Sequence, residues 1–457
     1  MKRIGIGKRV ISIFLFALIV MILIGCSKKD NKANAPMLPI GEISLNSNEA
    51  SQSNEQAATG KEQKNEHNNE QTIISSGDKL VVDGYDITKA TTGTSLKDAY
   101  AGYFTMGVAI NGSHPSNSTV ASDAMAEIMK YHFNSTTFSN LMKPMYLLDQ
   151  RASMRNYNSG IETPAVNFSS IIDGMEFAKE NNIKMRGHVL VWHEQAPDWF
   201  FREGYESSGK YVEKETMLMR MENYIKQVLE FTQTQYPGVI YCWDVVNEAV
   251  ENNEGAYELE SGYEIRTNYH SGENLWYKVI GVDYVVKAFE YARKYADPKV
   301  KLFYNDYNSF QEAKTQSIYD LVFDLKQKGL VDGLGMQGYM DLVYPEINSG
   351  VDNVRSALSK FSDLGLEIHI TELTIRSQDK SSQSFRIQAD RYEELFKMLI
   401  EMDTDGGGPA NITNVTFFAI MDEYLFYRNN NNPEYHRLFD GQLQPKPAFY
   451  SVLSVVD

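Results

Sequence analysis

Beyond about Ser95, apolar residues fall into two alternating patterns. Short runs with a β-branched and aromatic bias read as strands. They are "YFTMGVAI" (103–110), "FNSTTF" (133–138), "KMRGHVLVW" (184–192), "YCWDVVNE" (241–248), "VKLFYNDY" (300–307), "GLGMQGY" (333–339), "EIHITEL" (367–373) and "VTFFAI" (415–420). Between them, residues 170–182, 220–235, 283–295 and 317–329 repeat their apolar positions at helical spacing. Eight strands alternating with helices predict an α/β fold, a (β/α)8 TIM barrel with insertions. A doubly wound open sheet is the rival architecture. No glycine-rich phosphate loop follows the first strand, which counts against it.

The N-terminal pattern is different. Lys2, Arg3, Lys8 and Arg9 precede the apolar run "VISIFLFALIVMILI", which predicts a signal peptide over residues 1–25. The run ends in Leu23-Ile24-Gly25-Cys26, which resembles a bacterial lipobox. There Cys26 takes the lipid and becomes the first residue of the mature chain. An uncleaved transmembrane anchor is the alternative. Either reading places the rest of the chain on the extracytoplasmic face, tethered to a membrane. From Ser27 to about Asp78 large apolar residues almost vanish, so that stretch cannot bury enough surface to fold. Residues 26–90 are therefore expected to be the lipidated cysteine and a flexible polar linker, and 91–457 one catalytic domain.

Charge and cysteine content narrow the chemistry. With 44 Lys and Arg against 60 Asp and Glu, the net charge of −16 excludes a nucleic-acid surface and disfavours strongly anionic substrates. Neutral ligands such as sugars are unconstrained by it. Once Cys26 is lipidated, Cys242 is the other thiol, so no internal disulfide is expected. Cys242 reads as a small core residue. His188 and His193 stand apart from other metal-binding residue types, so neither a metal nor another cofactor is expected.

A barrel places its chemistry where the C-terminal strand ends converge. The polar residues there are His188 and Trp192 in the third strand, Asn247 and Glu248 in the fourth, Asn305, Asp306 and Tyr307 in the fifth, Gln337 in the sixth, and Glu372 in the seventh. A single glutamate on such a rim reads as a salt-bridge partner, and a single histidine or tryptophan as core. Two glutamates closing the fourth and seventh strands read differently. Carboxyl groups about 5 Å apart suit a retaining glycosidase, whereas inverting enzymes leave room for a water between them.

The stretches "WDVVNEA" and "ITEL" resemble glycoside hydrolase family 10, the (β/α)8 endo-β-1,4-xylanases. The resemblance starts at "SLKDAYAGYFTMGVAI" and passes through "FNSTTFSNLMKP", "RGHVLVWHEQAPDWF", "LFYNDYN" and "GLGMQG". It ends at "LFDGQLQPKPAFYSVL", in order and at matching spacing. It implies Glu248 as general acid/base, Glu372 as nucleophile, and Asn247 as the partner of the 2-hydroxyl of the cleaved sugar. It also implies that Asn140, Lys143, His188, Trp192 and Gln195 line the glycone side, that Gln337 sits beside the nucleophile, and that Tyr307 faces the aglycone side. The implied substrate is xylan or xylo-oligosaccharide.

Five rim positions depart from the family pattern. Ser139 replaces Glu, Tyr339 replaces His, Thr374 replaces Asp, and Phe418 and Phe426 replace two tryptophans. A tyrosine hydroxyl donating to Glu372 favours its ionised form, so Tyr339 and Thr374 read as a rewired support for the nucleophile. Two smaller aromatics widen the subsite wall. An insertion at about Asn252–Asn274 brings Tyr257, Tyr263 and Tyr269 towards the aglycone side or simply into solvent. Two other readings stay open: a related β-glycosidase of altered specificity, and a surface glycan-binding lipoprotein.

Overall fold

The computed structural model describes residues 79–251, 257–258, 264–269, 272–345, 351–422 and 435–456. Cys26 and Phe426 lie outside the described residues. Eight parallel strands form a closed ring: β1 (Thr105–Ile110), β2 (Ser135–Phe138), β3 (Lys184–Trp192), β4 (Ile240–Asn247), β5 (Lys301–Asp306), β6 (Gly333–Met336), β7 (Glu367–Arg376) and β8 (Asn411–Phe417). Each pairs with its neighbours in sequence, and β8 returns to β1 with Asn414 opposite Thr105 and Phe417 opposite Val108. The ring has no edge strand to protect.

A helix follows every strand: α1 (Asp123–His132), α2 (Ile172–Glu180), α3 (Lys214–Gln235), α4 (Tyr284–Tyr295), α5 (Glu312–Gln327), α6 (Asp352–Ser362), α7 (Ser382–Met402) and α8 (Pro447–Ser454). Their apolar spacing explains the packing. In α3 the buried residues Met217, Met221, Tyr224, Ile225, Val228, Leu229 and Thr232 form one stripe. Side chains from Ser122 and Ser381 accept the first free backbone N–H groups of α1 and α7.

Small residues make room inside the ring for large ones. A methyl group added at Gly187 on β3 would lie 2.3 Å from the Trp243 ring, and one at Gly335 on β6 would lie 2.2 Å from Asn305 Oδ1. Lower in the barrel, Arg186 on β3 pairs with Asp244 on β4 and contacts His369 on β7. All three are essentially inaccessible, and the guanidinium is neutralised where it stands.

The structure departs from the sequence expectation in three places. The run 333–339 is not one strand: β6 stops at Met336, Gly338 turns at φ +82°, and Tyr339–Asp341 forms its own short strand against the end of β7, Tyr339 opposite Thr374. The last strand begins at Asn411 and ends at Phe417, because the polar residues Asn414 and Thr416 are satisfied inside the ring. Residues 79–90, expected in the linker, pack on the barrel instead. Val81–Val82 pairs with Tyr85–Asp86, and Ile87 and Ala90 are wholly buried. Their few apolar side chains form no core alone and acquire one only from the barrel's surface. The insertion after β4 carries two small hairpins, Tyr257–Glu258 with Glu264–Ile265 and Asn268–Tyr269 with Gly272–Glu273. Tyr263 and the side chains of Tyr257 and Tyr269 lie outside what is described.

Candidate active site

Strand β4 delivers Glu248 one residue past its last ladder position, in a left-handed backbone conformation with φ 57°. For a non-glycine residue that conformation costs about 1–2 kcal/mol, so its surroundings must hold it. They do so on three sides. The Glu248 N–H donates to Asn305 O at 2.9 Å, and the Glu248 carbonyl accepts from Arg266 Nε at 3.0 Å. The next two N–H groups, of Ala249 and Val250, both donate to the Tyr304 hydroxyl at 2.9 and 3.0 Å. The side chain is gripped as well: Trp192 Nε1 donates to one carboxyl oxygen at 3.0 Å and Gln337 Nε2 to the other at 2.7 Å.

Glu372 comes from β7 on the opposite side of the ring. Its N–H donates to Gln337 O at 2.8 Å, and its carboxylate accepts from Asn305 Nδ2 at 3.2 Å and from the Tyr339 hydroxyl. Asn305 is the link between the two halves. Its amide nitrogen also donates to Asn247 Oδ1 at 2.9 Å, and its own oxygen accepts from Thr371 at 2.7 Å. Gln337 reaches Asn247 Oδ1 at 3.3 Å. Both contacts use the carbonyl oxygen of Asn247, so its amide N–H groups are what it offers to a ligand.

The two carboxyls occupy different electrostatic surroundings. Burial, with the Asp306 carboxylate close by, pushes Glu248 up to about 7, against the pull of the Gln337 donor and the Arg266 charge. A carboxyl tuned there can give up a proton near neutrality and take it back. Glu372 also accepts two side-chain hydrogen bonds, from Asn305 Nδ2 and the Tyr339 hydroxyl.

A second cluster lies beside the pair. Lys143 donates to Asn140 Oδ1 at 3.0 Å and Gln195 Oε1 at 2.7 Å, with its ammonium 4.4 Å from the centre of the Trp192 ring. Burial pushes Lys143 down to about 8, although Glu372, Glu248 and Glu194 attract its proton. His188 sits lower, bonded to Asp244 at 2.9 Å. Tyr307 is half-buried on the other flank and accepts from Arg266 at 2.8 Å. A small recess beside the pair is lined by Glu372, Thr137, Ser139, His188 and Phe418 among others. The sequence-predicted site residues within the described range thus converge on one mouth.

The family model for glycosyl hydrolase family 10 matches residues 95–455. The chain belongs to glycosyl hydrolase family 10. A putative endo-1,4-β-xylanase of Caldicellulosiruptor saccharolyticus is 48% identical over 317 residues, covering 68% of this chain and 96% of that one. Endo-1,4-β-xylanase B of Butyrivibrio fibrisolvens is 41% identical over 79% of this chain, which spans only 53% of that larger protein. Among solved structures, the N-terminal modules of Clostridium thermocellum endo-1,4-β-D-xylanase 10B, complexed with xylohexaose, superpose with a TM-score of 0.69. They are 33% identical and cover 80% of this chain and 68% of theirs.

Within family 10 the departures acquire a physical setting. Tyr339 stands where its hydroxyl bonds Glu372, and Phe418 packs edge-on against the Tyr339 ring, centroids 5.6 Å apart. Thr374 accepts from Arg437 Nη1 at 3.1 Å, so a guanidinium borders the position where the family carries a carboxylate. Ser139 and Phe418 border the recess, where Glu and Trp would fill more of it. Tyr339→Phe deletes one donor to an ionised carboxylate and little volume. It is expected to lower kcat/KM roughly tenfold to a hundredfold, since a hydrogen bond to a charged group contributes about 1.5–3 kcal/mol. A kcat/KM within about twofold of the wild type would contradict that supporting role for Tyr339.

Three site residues had no clear signal in the sequence. Asn305 was legible as a rim residue but not as the bridge between the glutamates. Tyr304, one position earlier, reads as an ordinary strand residue. Arg266 lies in the insertion, where no strand or helix pattern indicates which way a side chain turns.

Proposed function

We propose that this family 10 chain is a retaining endo-1,4-β-xylanase in which Glu248 is the acid/base and Glu372 the nucleophile. The raised proton affinity of Glu248 carries the division of roles. Glu248 is buried against Asp306 and raised to about 7, while Glu372 accepts from Asn305 and Tyr339. In the first step Glu372 attacks the anomeric carbon as Glu248 protonates the departing oxygen. In the second, Glu248 removes a proton from the water that releases the sugar from Glu372. Asn247 offers its amide N–H groups to the 2-hydroxyl of the sugar being cleaved. Asn140, Lys143 and Gln195 form the glycone side and offer polar groups to sugar hydroxyls, with the buried Trp192 ring beneath the Lys143 ammonium holding it in place. Tyr307 borders the aglycone side.

We also propose that the chain acts at a membrane surface, exported by residues 1–25 and held by lipid on Cys26, with the polar segment that follows as a spacer. The basic start, the apolar run and the Leu-Ile-Gly-Cys end support that reading.

The test follows anomeric proton signals while the purified chain acts on linear xylo-oligosaccharides. The β-anomer is expected to appear first and then mutarotate. First release of the α-anomer would refute retention, and no products from folded protein would refute the xylanase reading.

A further inference from the structure

Arg266 belongs to the insertion after β4, yet its guanidinium is buried beneath Glu248, with the residue only 3% exposed. Every part of it is engaged. Nε donates to the Glu248 carbonyl at 3.0 Å, Nη2 to the Tyr307 hydroxyl at 2.8 Å, and Nη1 pairs with Glu251 at 2.6 Å. Its backbone is tied down too. The Arg266 N–H donates to Ala249 O at 2.8 Å, and the Arg266 carbonyl accepts from Asn274 Nδ2 at 2.9 Å. The carbonyl it holds is that of a residue in the left-handed region, and rotating that peptide would re-aim the carboxyl. Arg266 also reaches across to the flank where Tyr307 stands.

Its charge is placed as pointedly as its hydrogen bonds. Glu248 faces the carboxylates of Asp306 and Glu194, the Tyr307 phenol, the Lys143 ammonium from the far side, and Arg266 from below. Asp306 is itself partly offset by Lys314 at 3.1 Å. We propose that Arg266 is a positioning residue for the acid/base, fixing the backbone that aims Glu248 and supplying a counter-charge that lets its carboxyl cycle between donor and base. The inference rests on the acid/base role proposed for Glu248. It gives the insertion a catalytic duty that its tyrosines do not explain.

Removing this charge leaves Asp306 and Glu194 less opposed, so Glu248 holds its proton to higher pH. Glycosylation then stays competent, but Glu248 becomes a poorer base for deglycosylation near neutrality. The experiment compares Arg266→Gln, Arg266→Lys and Glu251→Gln in the full chain. For Arg266→Gln, the basic limb of kcat/KM on xylo-oligosaccharides is expected to move up by about half a pH unit or more. With an activated aryl xylobioside, whose leaving group needs no protonation, kcat near neutrality falls several-fold while kcat/KM stays within about twofold. Arg266→Lys restores the limb. Glu251→Gln, which removes the carboxylate competing for the guanidinium, moves the limb down, and it tests the idea even where Arg266→Gln fails to fold. Limbs that stay fixed in Arg266→Gln and Glu251→Gln, with kcat and kcat/KM falling in proportion, would overturn the proposal. If Glu248→Ala keeps full activity, the acid/base assignment fails instead, so the two failures are distinguishable.

Discussion

Replacing Glu372 with alanine is expected to lower turnover of xylo-oligosaccharides roughly ten-thousandfold or more, with the fold retained. Its carboxylate is the group that would bond the anomeric carbon. The supporting donors on Asn305 and Tyr339 cannot substitute, because neither carries a free electron pair with carboxylate basicity. Retention of the fold is expected because the barrel loses only the far end of one side chain at the mouth. The diagnostic is rescue. Azide can occupy the space left by the carboxylate and attack from that face, giving a glycosyl azide of inverted, α configuration. Restored turnover with an α-azide product would identify Glu372 as the nucleophile. Activity within about tenfold of the wild type would remove it from that role.

The second large effect is expected at Glu248. Alanine there should cost about 10²–10⁴-fold on natural oligosaccharides, whose leaving alcohol needs a proton. An activated aryl glycoside needs none, so its kcat/KM should stay near the wild-type value, while kcat falls because the covalent intermediate now waits for an unassisted water. A burst of aryl alcohol and a β-configured azide product would report that accumulated intermediate. The pH dependence follows from the environment. Since burial and Asp306 push Glu248 up to about 7, wild-type kcat/KM is present below that value, where the carboxyl keeps its proton. It is lost as pH rises through it. In Glu248→Ala that basic limb should vanish. A limb that persists unchanged would assign it to another group.

These predictions depend on an arrangement that joins two glutamates through shared amides rather than through each other. Asn305 touches both Asn247 and Glu372, and Gln337 touches both Asn247 and Glu248. A change at Asn247 therefore reaches both glutamates. Tyr339, Thr374 and Arg437 cluster on the far side of Glu372, where the Tyr339 hydroxyl donates to its carboxyl and Arg437 donates to Thr374.

Much of this was written in local pattern. Alternation of apolar runs with helical stretches pointed to a layered α/β fold, a barrel or a doubly wound sheet, because each strand and each helix must bury one face and only a small set of packings satisfies eight such pairs. The position of a residue at a strand's C-terminal end then determined which polar side chains could meet, so Glu248, Asn247, Gln337 and Glu372 were legible as one constellation. Family resemblance pointed to Asn140, Lys143 and Gln195, which no periodicity marks. Only the tertiary structure decided the rest. Glu248 sits in a left-handed conformation that a strand pattern cannot announce, and it is held there by Tyr304 and Arg266, which are 56 and 18 positions downstream. The raised proton affinity of Glu248 arises from burial against Asp306 on the next strand, and Glu372 accepts from a hydroxyl that arrives only because Gly338 breaks the sixth strand. Strand and helix patterns are local and repeat with a fixed period; charge balance and backbone strain depend on which distant groups fall within a few ångströms, and folding alone sets those distances.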